Sequence, residues 1–366
     1  MSDRTSIEFT RGDDGRPGAT TNPVTGCDAV SPGCDSCFAK VLAERFRGKP
    51  GHYFEHGFDL QLRPDKIYKP LSWKPPRRIF VNSMSDLFHA KVPAEYIAEV
   101  WAMMALAPHH TFLIFTKRHG RMHSLLNSDR FGGLVYMAIN AVLAQGNRWK
   151  IADEVISAAL DGFARGNFAV LPHVQLFVSA ENQDYARLRI PALLDTPAAV
   201  RGVSLEPLLG PIDLTHLDVE GYPHAAGMYQ INALTGRNTD MGRPCADVPA
   251  LDWVIVGGET GHTARPMHPD WARSLRDQCE QFGVPFMFKQ WGQWTATPAD
   301  PSLWEPHAWV NAATGEVADE QRATEGGDWV GMWKLGKHKT GRELDGQIWD
   351  EFPRARKLLI TNERGL

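Results

Sequence analysis

Two textures alternate along the chain. Short apolar runs rich in β-branched and aromatic residues stand between longer segments whose apolar positions recur at helical spacing. The runs are "RIFVNSM" (78–84), "TFLIFTK" (111–117), "VQLFVSAEN" (174–182), "VRGVSLEP" (200–207), "LDWVIVGGE" (251–259) and "PFMFKQW" (285–291). Helical periodicity covers 94–107, 183–194 and 270–282. Strand, helix, strand at this rhythm predicts βαβ units and a parallel sheet whose strands, buried on both faces, read as continuously apolar. One further strand is expected ahead of residue 27, which makes about seven. The expected class is therefore α/β, a full or partial (β/α) barrel. A doubly wound open sheet is the alternative, but no glycine-rich dinucleotide fingerprint follows an early strand.

The pattern also divides the chain. Residues 1–291 form the expected barrel domain. Within it a helical insertion at about 129–172, including "IADEVISAALDGFA", is expected to cover the barrel as a lid, and a turn-rich loop insertion lies at about 215–250. Residues 292–366 form a small C-terminal appendage with Trp294, Trp304, Trp309, Trp329, Trp333 and Trp349. Those rings either stack bases or anchor a small sheet onto the body.

Nearly every run is apolar until its C-terminal end and then turns polar. Asn82, Ser83, Ser85 and Asp86 close the first; Thr116 and Lys117 the second; Ser179, Glu181 and Asn182 the third. Ser204 and Glu206 close the fourth, Gly257, Gly258 and Glu259 the fifth, and Lys289 and Gln290 the sixth. In a barrel these ends meet on one rim, where barrel active sites are built. A single polar strand end only marks where a chain emerges into water; six sets carrying Lys, Glu and Asp predict a shared pocket.

Composition narrows the chemistry. The 366 residues carry a net charge of −4 and five cysteines, with no run of the ~18 apolar residues that spans a membrane and no apolar leader at the N-terminus. A cytoplasmic protein without membrane association is expected, and a net negative chain does not coat nucleic acid. Basic runs at 63–78 and 116–123 are read first as solvated faces. Five cysteines are too few for a disulfide scaffold, yet Cys27, Cys34 and Cys37 fall within eleven residues as C-x6-C-x2-C. Closed structural zinc needs four ligands; His52 or His56 could supply the fourth, though at no standard spacing. A clamp of three thiolates suits a [4Fe–4S] cluster whose fourth iron stays open, and three metal-free thiols are the remaining reading.

The blocks "NPVTGCDAVSPGCDSCFAK", "VNSMSDLFHAKVP", "FTKRHGRM", "VSAENQDYARLRIPALLDTPA", "VSLEPLLGPIDL", "DWVIVGGETGHTARPMHPDW", "VPFMFKQWGQW" and "GRELDGQIWDEFP" resemble the successive blocks of a phage-associated three-cysteine-motif family. That family is in turn similar to radical S-adenosylmethionine enzymes, in the branch containing spore photoproduct lyase. The resemblance covers residues 7–353 and implies a barrel of the radical-enzyme type. It implies Cys27, Cys34 and Cys37 as ligands of a [4Fe–4S] cluster, with S-adenosylmethionine as the second cofactor. Reductive cleavage of that cofactor to a 5′-deoxyadenosyl radical would then modify or repair a substrate, nucleic acid being one class. The usual radical-enzyme spacing is C-x3-C-x2-C, and this chain departs from it in the first gap. Ser83, Ser85, Asp86, Lys117, Ser179 and Asn182 are the expected cofactor contacts, with the "TK" Lys117 on the cofactor carboxylate. Lys117, Glu181, Glu206, Glu259 and Lys289 are the expected catalytic groups. Implied partners are a one-electron reductant such as flavodoxin or ferredoxin and a co-encoded protein, in the host cytoplasm if the protein is phage-encoded. Two alternatives stand beside this: a barrel hydrolase using paired carboxylates with structural zinc, and a non-catalytic metal-stabilised nucleic-acid-binding protein.

Overall fold

The computed structural model describes residues 2–12, 14–164, 168–219, 229–240, 242–297, 305–324 and 326–353. Eight strands make the main sheet: β1 (Ser2–Thr5), β2 (Gly18–Thr21), β3 (Arg78–Val81), β4 (Thr111–Thr116), β5 (Val174–Ser179), β6 (Val200–Leu205), β7 (Trp253–Gly257) and β8 (Phe286–Gln290). Their spatial order follows the chain without reversal, so the sheet curls as a half-barrel and is not doubly wound. Strands β2 to β8 are parallel, and β1 pairs antiparallel with β2. The expected seven strands are β2 to β8; the polar β1 gave no apolar signal. A full barrel does not form, since among the described residues no ladder joins β1 to β8. Instead the C-terminal segment covers β8: Phe288 N–H donates to Trp349 O and Glu351 N–H to Phe286 O, which satisfies an otherwise open edge.

Period-two alternation sorts each parallel strand between two cores. Outward residues such as Ile79, Val81, Ile114, Val178, Val203 and Val256 join one large cluster with the surrounding helices. Inward residues Leu113, Phe177, Trp253, Ile255 and Met287 form a second cluster, capped by Phe9, Phe80 and Phe115. Within it Phe115 stacks on Phe177 at 4.3 Å between centroids, and Phe177 meets Trp253 edge-on at 5.6 Å. Two residues further along the same inward face the strands become polar: Phe177 gives way to Ser179, and Met287 to Lys289. The aromatic plug is thus the floor on which the polar strand ends stand.

The helices Ala94–Ala105, Gln183–Leu194 and Pro269–Phe282 form on the outside as their periodicity predicts. The insertion forms helices Asp129–Leu143 and Asp153–Phe163, but the lid expectation is corrected. Phe131 meets Trp101 of the outer helix edge-on at 5.7 Å, so the insertion packs as a second layer away from the strand ends. Residues 215–250 are not a plain loop either: their described part holds a four-stranded antiparallel meander starting at Leu217–Val219.

The appendage is a second four-stranded sheet built from Trp294–Thr295, Ala308–Asn311, Val317–Ala318 and Trp329–Lys334. Its tryptophans anchor it to the body. Trp294 Nε1 donates to Ala264 O at 2.6 Å, and from the body Trp291 Nε1 donates to Glu343 O at 2.8 Å. Trp304 lies outside the described residues, as do 354–366. Among the described residues no helix is long and apolar enough to cross a membrane.

Candidate functional site

The polar strand ends surround one cavity of about 760 Å³. Its floor is Phe9, Phe80 and Phe115; its wall carries Asn82, Ser83, Ser85, Asp86, Thr116, Lys117, Ser179, Ser204, Glu206, Glu259, Lys289 and Gln290. Its mouth carries Cys27, Cys34 and Cys37. The predicted convergence therefore holds for Lys117, Glu206, Glu259, Lys289, Ser83, Ser85, Asp86 and Ser179. It does not hold for two residues. Asn182 caps the helix Gln183–Leu194, its Oδ1 accepting from Tyr185 N at 3.2 Å, which spends the amide on the helix. Glu181 is fully buried behind the cysteine loop, where it meets Arg189.

The cysteine loop leaves β2 and is held at several points. Gly26 N–H donates to Met84 O at 3.0 Å, and Cys27 N–H to Phe58 O at 3.3 Å. Gly26 takes φ 84°, and a Cβ there would lie 2.2 Å from Asp59 O, so the turn admits only glycine. Gly33 N–H donates to Glu181 Oε1 at 3.3 Å, while Arg189 Nη1 reaches Glu181 Oε2 at 3.0 Å and Ser179 O at 2.6 Å. Arg265 reads Glu259 with two parallel bonds, Nη2 to Oε1 at 2.7 Å and Nε to Oε2 at 3.0 Å. The same guanidinium donates to Pro32 O at 2.7 Å and meets Asp35 at 3.3 Å. Ser36 Oγ lies 2.9 Å from Thr263 Oγ1. Two of the expected catalytic carboxylates, Glu181 and Glu259, thus anchor the loop through its backbone or through an arginine. Sequence reasoning missed Arg189 and Arg265, because nothing local marks an arginine as the partner of a strand end.

Other contacts prepare the wall. Asp86 accepts from Thr116 Oγ1 at 2.8 Å, Lys117 N at 3.0 Å and Phe88 N at 2.9 Å, so it fixes where β4 hands over to Lys117. Asn22 Oδ1 accepts from Ser83 Oγ at 3.2 Å and from Met84 N at 3.0 Å; Ser85 Oγ donates to Val24 O at 2.8 Å. Both hydroxyl oxygens keep acceptor capacity toward the cavity. Lys289 Nζ lies 2.7 Å from Glu206 Oε2, and Gln290 Nε2 donates to Glu206 Oε1 at 2.9 Å. A Cβ on Gly258 would lie 2.0 Å from Trp291 O, so this glycine admits the neighbouring backbone.

Glu181, Glu206 and Glu259 each have a cation, respectively Arg189, Lys289 and Arg265, so none of the three stands as a free general base. The basic runs are used internally as well. Arg63 Nη2 donates to Tyr53 O at 2.7 Å, Arg78 lies over Phe352 at 4.3 Å, and Arg121 donates to His89 O and Val92 O. Arg118 Nη2 donates to Asp28 O at 3.1 Å and approaches Cys27 Sγ at 3.8 Å.

Burial, and next the Asp86 charge, push the Cys27 thiol up to about 11 against the lowering influence of Arg118. A bound cation would reverse that balance by stabilising the thiolate. His52 stacks on Phe46 at 3.9 Å, and its Nδ1 accepts from Phe54 N at 3.1 Å, which turns it to its own loop. Among the described residues no three Cys, His, Asp or Glu side chains close on a point fit for one ion. A cubane cluster spreads three thiolates over three irons and so asks for a wider triangle than a single zinc.

The family model described as "Protein of unknown function (DUF5131)" matches residues 4–353. No curated protein and no solved structure matches the chain.

Proposed function

We propose that this chain, which belongs to the DUF5131 family, is an iron–sulfur enzyme of the radical S-adenosylmethionine type. One observation carries the proposal: among the described residues three cysteines, with no fourth cysteine and no histidine beside them, line the mouth of a half-barrel cavity, on a loop held by the buried Glu181–Arg189 pair and the half-buried Glu259–Arg265 pair. When bound there by Cys27, Cys34 and Cys37, a [4Fe–4S] cluster supplies an iron with an open position and an electron for reductive cleavage of S-adenosylmethionine to methionine and a 5′-deoxyadenosyl radical.

The chain's own groups bind and orient. Lys117, placed on the wall by Asp86, pairs with the cofactor's carboxylate. Ser83 and Ser85 offer acceptors to its ammonium, held in position by Asn22 and the Val24 carbonyl. Glu206 and Lys289, on the wall beside Phe9, form the pair that can hold a proton at a polar substrate atom, and Ser179 lies on the same wall. Burial of the aromatic floor excludes water from that end.

The test is anaerobic reconstitution with iron and sulfide, followed by assays of iron, sulfide and zinc, and of 5′-deoxyadenosine on adding the cofactor and dithionite. Wild type is expected to hold about four irons and sulfides per chain, as one cubane requires, and to release 5′-deoxyadenosine. Cys34→Ala should lose both. Lys117→Ala should keep the iron and weaken cofactor binding by roughly 1.5–3 kcal/mol, the range for a charged hydrogen bond. Stoichiometric zinc without sulfide, or a full cluster with no more 5′-deoxyadenosine than the Cys34→Ala control, overturns the proposal.

A further inference from the structure

The helix that starts at the last cysteine is inside out. In Phe38–Glu44 the small residues Ala39 and Ala43 face the core, while Phe38, Val41 and Leu42 are 55%, 49% and 37% exposed. An amphipathic surface helix does the reverse. Val30, 40% exposed on the cysteine loop, extends the same apolar surface, and Val30 and Phe38 also line the cavity mouth. Around this stripe the charge is positive. Segment 38–49 carries Lys40, Arg45, Arg47 and Lys49 against Glu44, a net +3 on a chain of net −4. Lys40, Arg45 and Lys49 are exposed, and Arg47 bridges Glu44 and Asp59. The nearby loop acids are already engaged, Asp28 by His89 and Asp35 by Arg265.

An exposed apolar centre with a cationic rim is the anatomy of a protein interface. The helix offers a membrane surface only the three exposed apolar side chains Phe38, Val41 and Leu42, too little apolar area to anchor it there. A nucleic-acid backbone would use the cations but leave Phe38, Val41 and Leu42 in water. From these features we infer that the face Val30, Phe38, Lys40, Val41, Leu42 and Arg45 docks an acidic one-electron carrier protein of the flavodoxin kind. The inference rests on the proposed iron–sulfur reading and adds where its electron enters. Cys37 caps this helix, and Leu42 is five residues on, about 7.5 Å along the axis at 1.5 Å per residue. A carrier seated on the stripe therefore lies next to the thiols. It is oxidised by one electron, and the centre held by the cysteines is reduced by one; no proton or atom need cross the interface.

The test separates this inference from the function it rests on. Oxidised flavodoxin is titrated into the full-length chain without its cluster, at low and at high salt, and binding is followed by flavin fluorescence anisotropy. Wild type is expected to bind at low salt and to weaken at least tenfold at high salt. Val41→Ser/Leu42→Ser and, separately, Lys40→Glu/Arg45→Glu are each expected to lose at least tenfold in affinity. With dithionite in place of the carrier, the reconstituted Val41→Ser/Leu42→Ser protein should form 5′-deoxyadenosine at the wild-type rate, and its thermal melt should match wild type. No flavodoxin binding, or equal binding by wild type and both variants, overturns the docking site. So does tighter binding of a single-stranded oligonucleotide or anionic vesicles with the same losses. Absence of iron and sulfide from reconstituted wild type would instead overturn the function.

Discussion

Replacing Glu181 by Gln removes one charge from a pair whose side chains are 1% and 2% exposed, leaving Arg189 as an uncompensated buried cation. Arg189 Nη1 would keep its 2.6 Å bond to Ser179 O and its place over Tyr185 at 4.2 Å, but neither neutralises it. Breaking a buried pair from one side costs about 3–5 kcal/mol. With an unfolding entropy of about 2.1 cal/mol/K per residue over this chain length, 4 kcal/mol is roughly a 5 °C fall in Tm. Gly33 N–H, which now donates to Glu181 Oε1 at 3.3 Å, would face a neutral acceptor, so the cysteine loop should loosen with the fold. Glu181→Leu/Arg189→Met is the informative partner. Removing both charges should recover at least half of the lost stability, since well-packed apolar residues often replace buried ion pairs without loss. It leaves Gly33 N–H with no acceptor, however, so the thiols of Cys34 and Cys37 should stay more reactive than in wild type. Differential scanning calorimetry and mass-spectrometric mapping of alkylation at fixed pH measure the two effects separately. A Glu181→Gln protein melting within 1 °C of wild type would refute the electrostatic reasoning. A double variant with wild-type thiol reactivity would refute the anchoring role.

Two further predictions concern titration. In the metal-free protein Cys27, pushed up to about 11 by burial, should alkylate about a hundredfold more slowly at pH 8 than a thiol of pKa 9, with the rate rising until about pH 11; a plateau near pH 9 would contradict the burial. His110 is lowered to about 4, first by burial and then by the charge of His109, and its Nε2 lies 3.1 Å from Pro70 O. Its folded state binds the proton less well than the unfolded chain, so this stability is complete above about pH 6.5 and is lost as pH falls toward 4. The share is up to roughly 3 kcal/mol, and His110→Gln should flatten Tm against pH in that window; an unchanged profile would show that His110 does not report the loss.

The half-barrel was legible because its cause is local. A parallel strand buried on both faces must be apolar along its length, and a period of two then fixes which residues face inward. That places Ser179 and Lys289 above Phe177 and Met287 before any contact is known. The antiparallel β1 was not legible, because its pairing, and not its composition, makes it a strand. The insertion helices were legible as helices, but an apolar stripe does not say which surface it will cover. They found the outer helix Ala94–Ala105 and not the mouth.

The site divides along the same line. Residue type and strand-end position determined that Lys117, Glu206, Glu259 and Lys289 share a cavity with three cysteines. What each side chain does there was decided by tertiary structure, because ion pairs form between residues that only closure of the fold brings together. Glu206 meets Lys289 83 positions away, and Gly33 meets Glu181 across 148. A carboxylate at a strand end reads the same in sequence whether it faces a substrate, clamps a loop through Arg265 or hides with Arg189. The charges nearby choose among these roles, and a buried charge cannot remain without a partner.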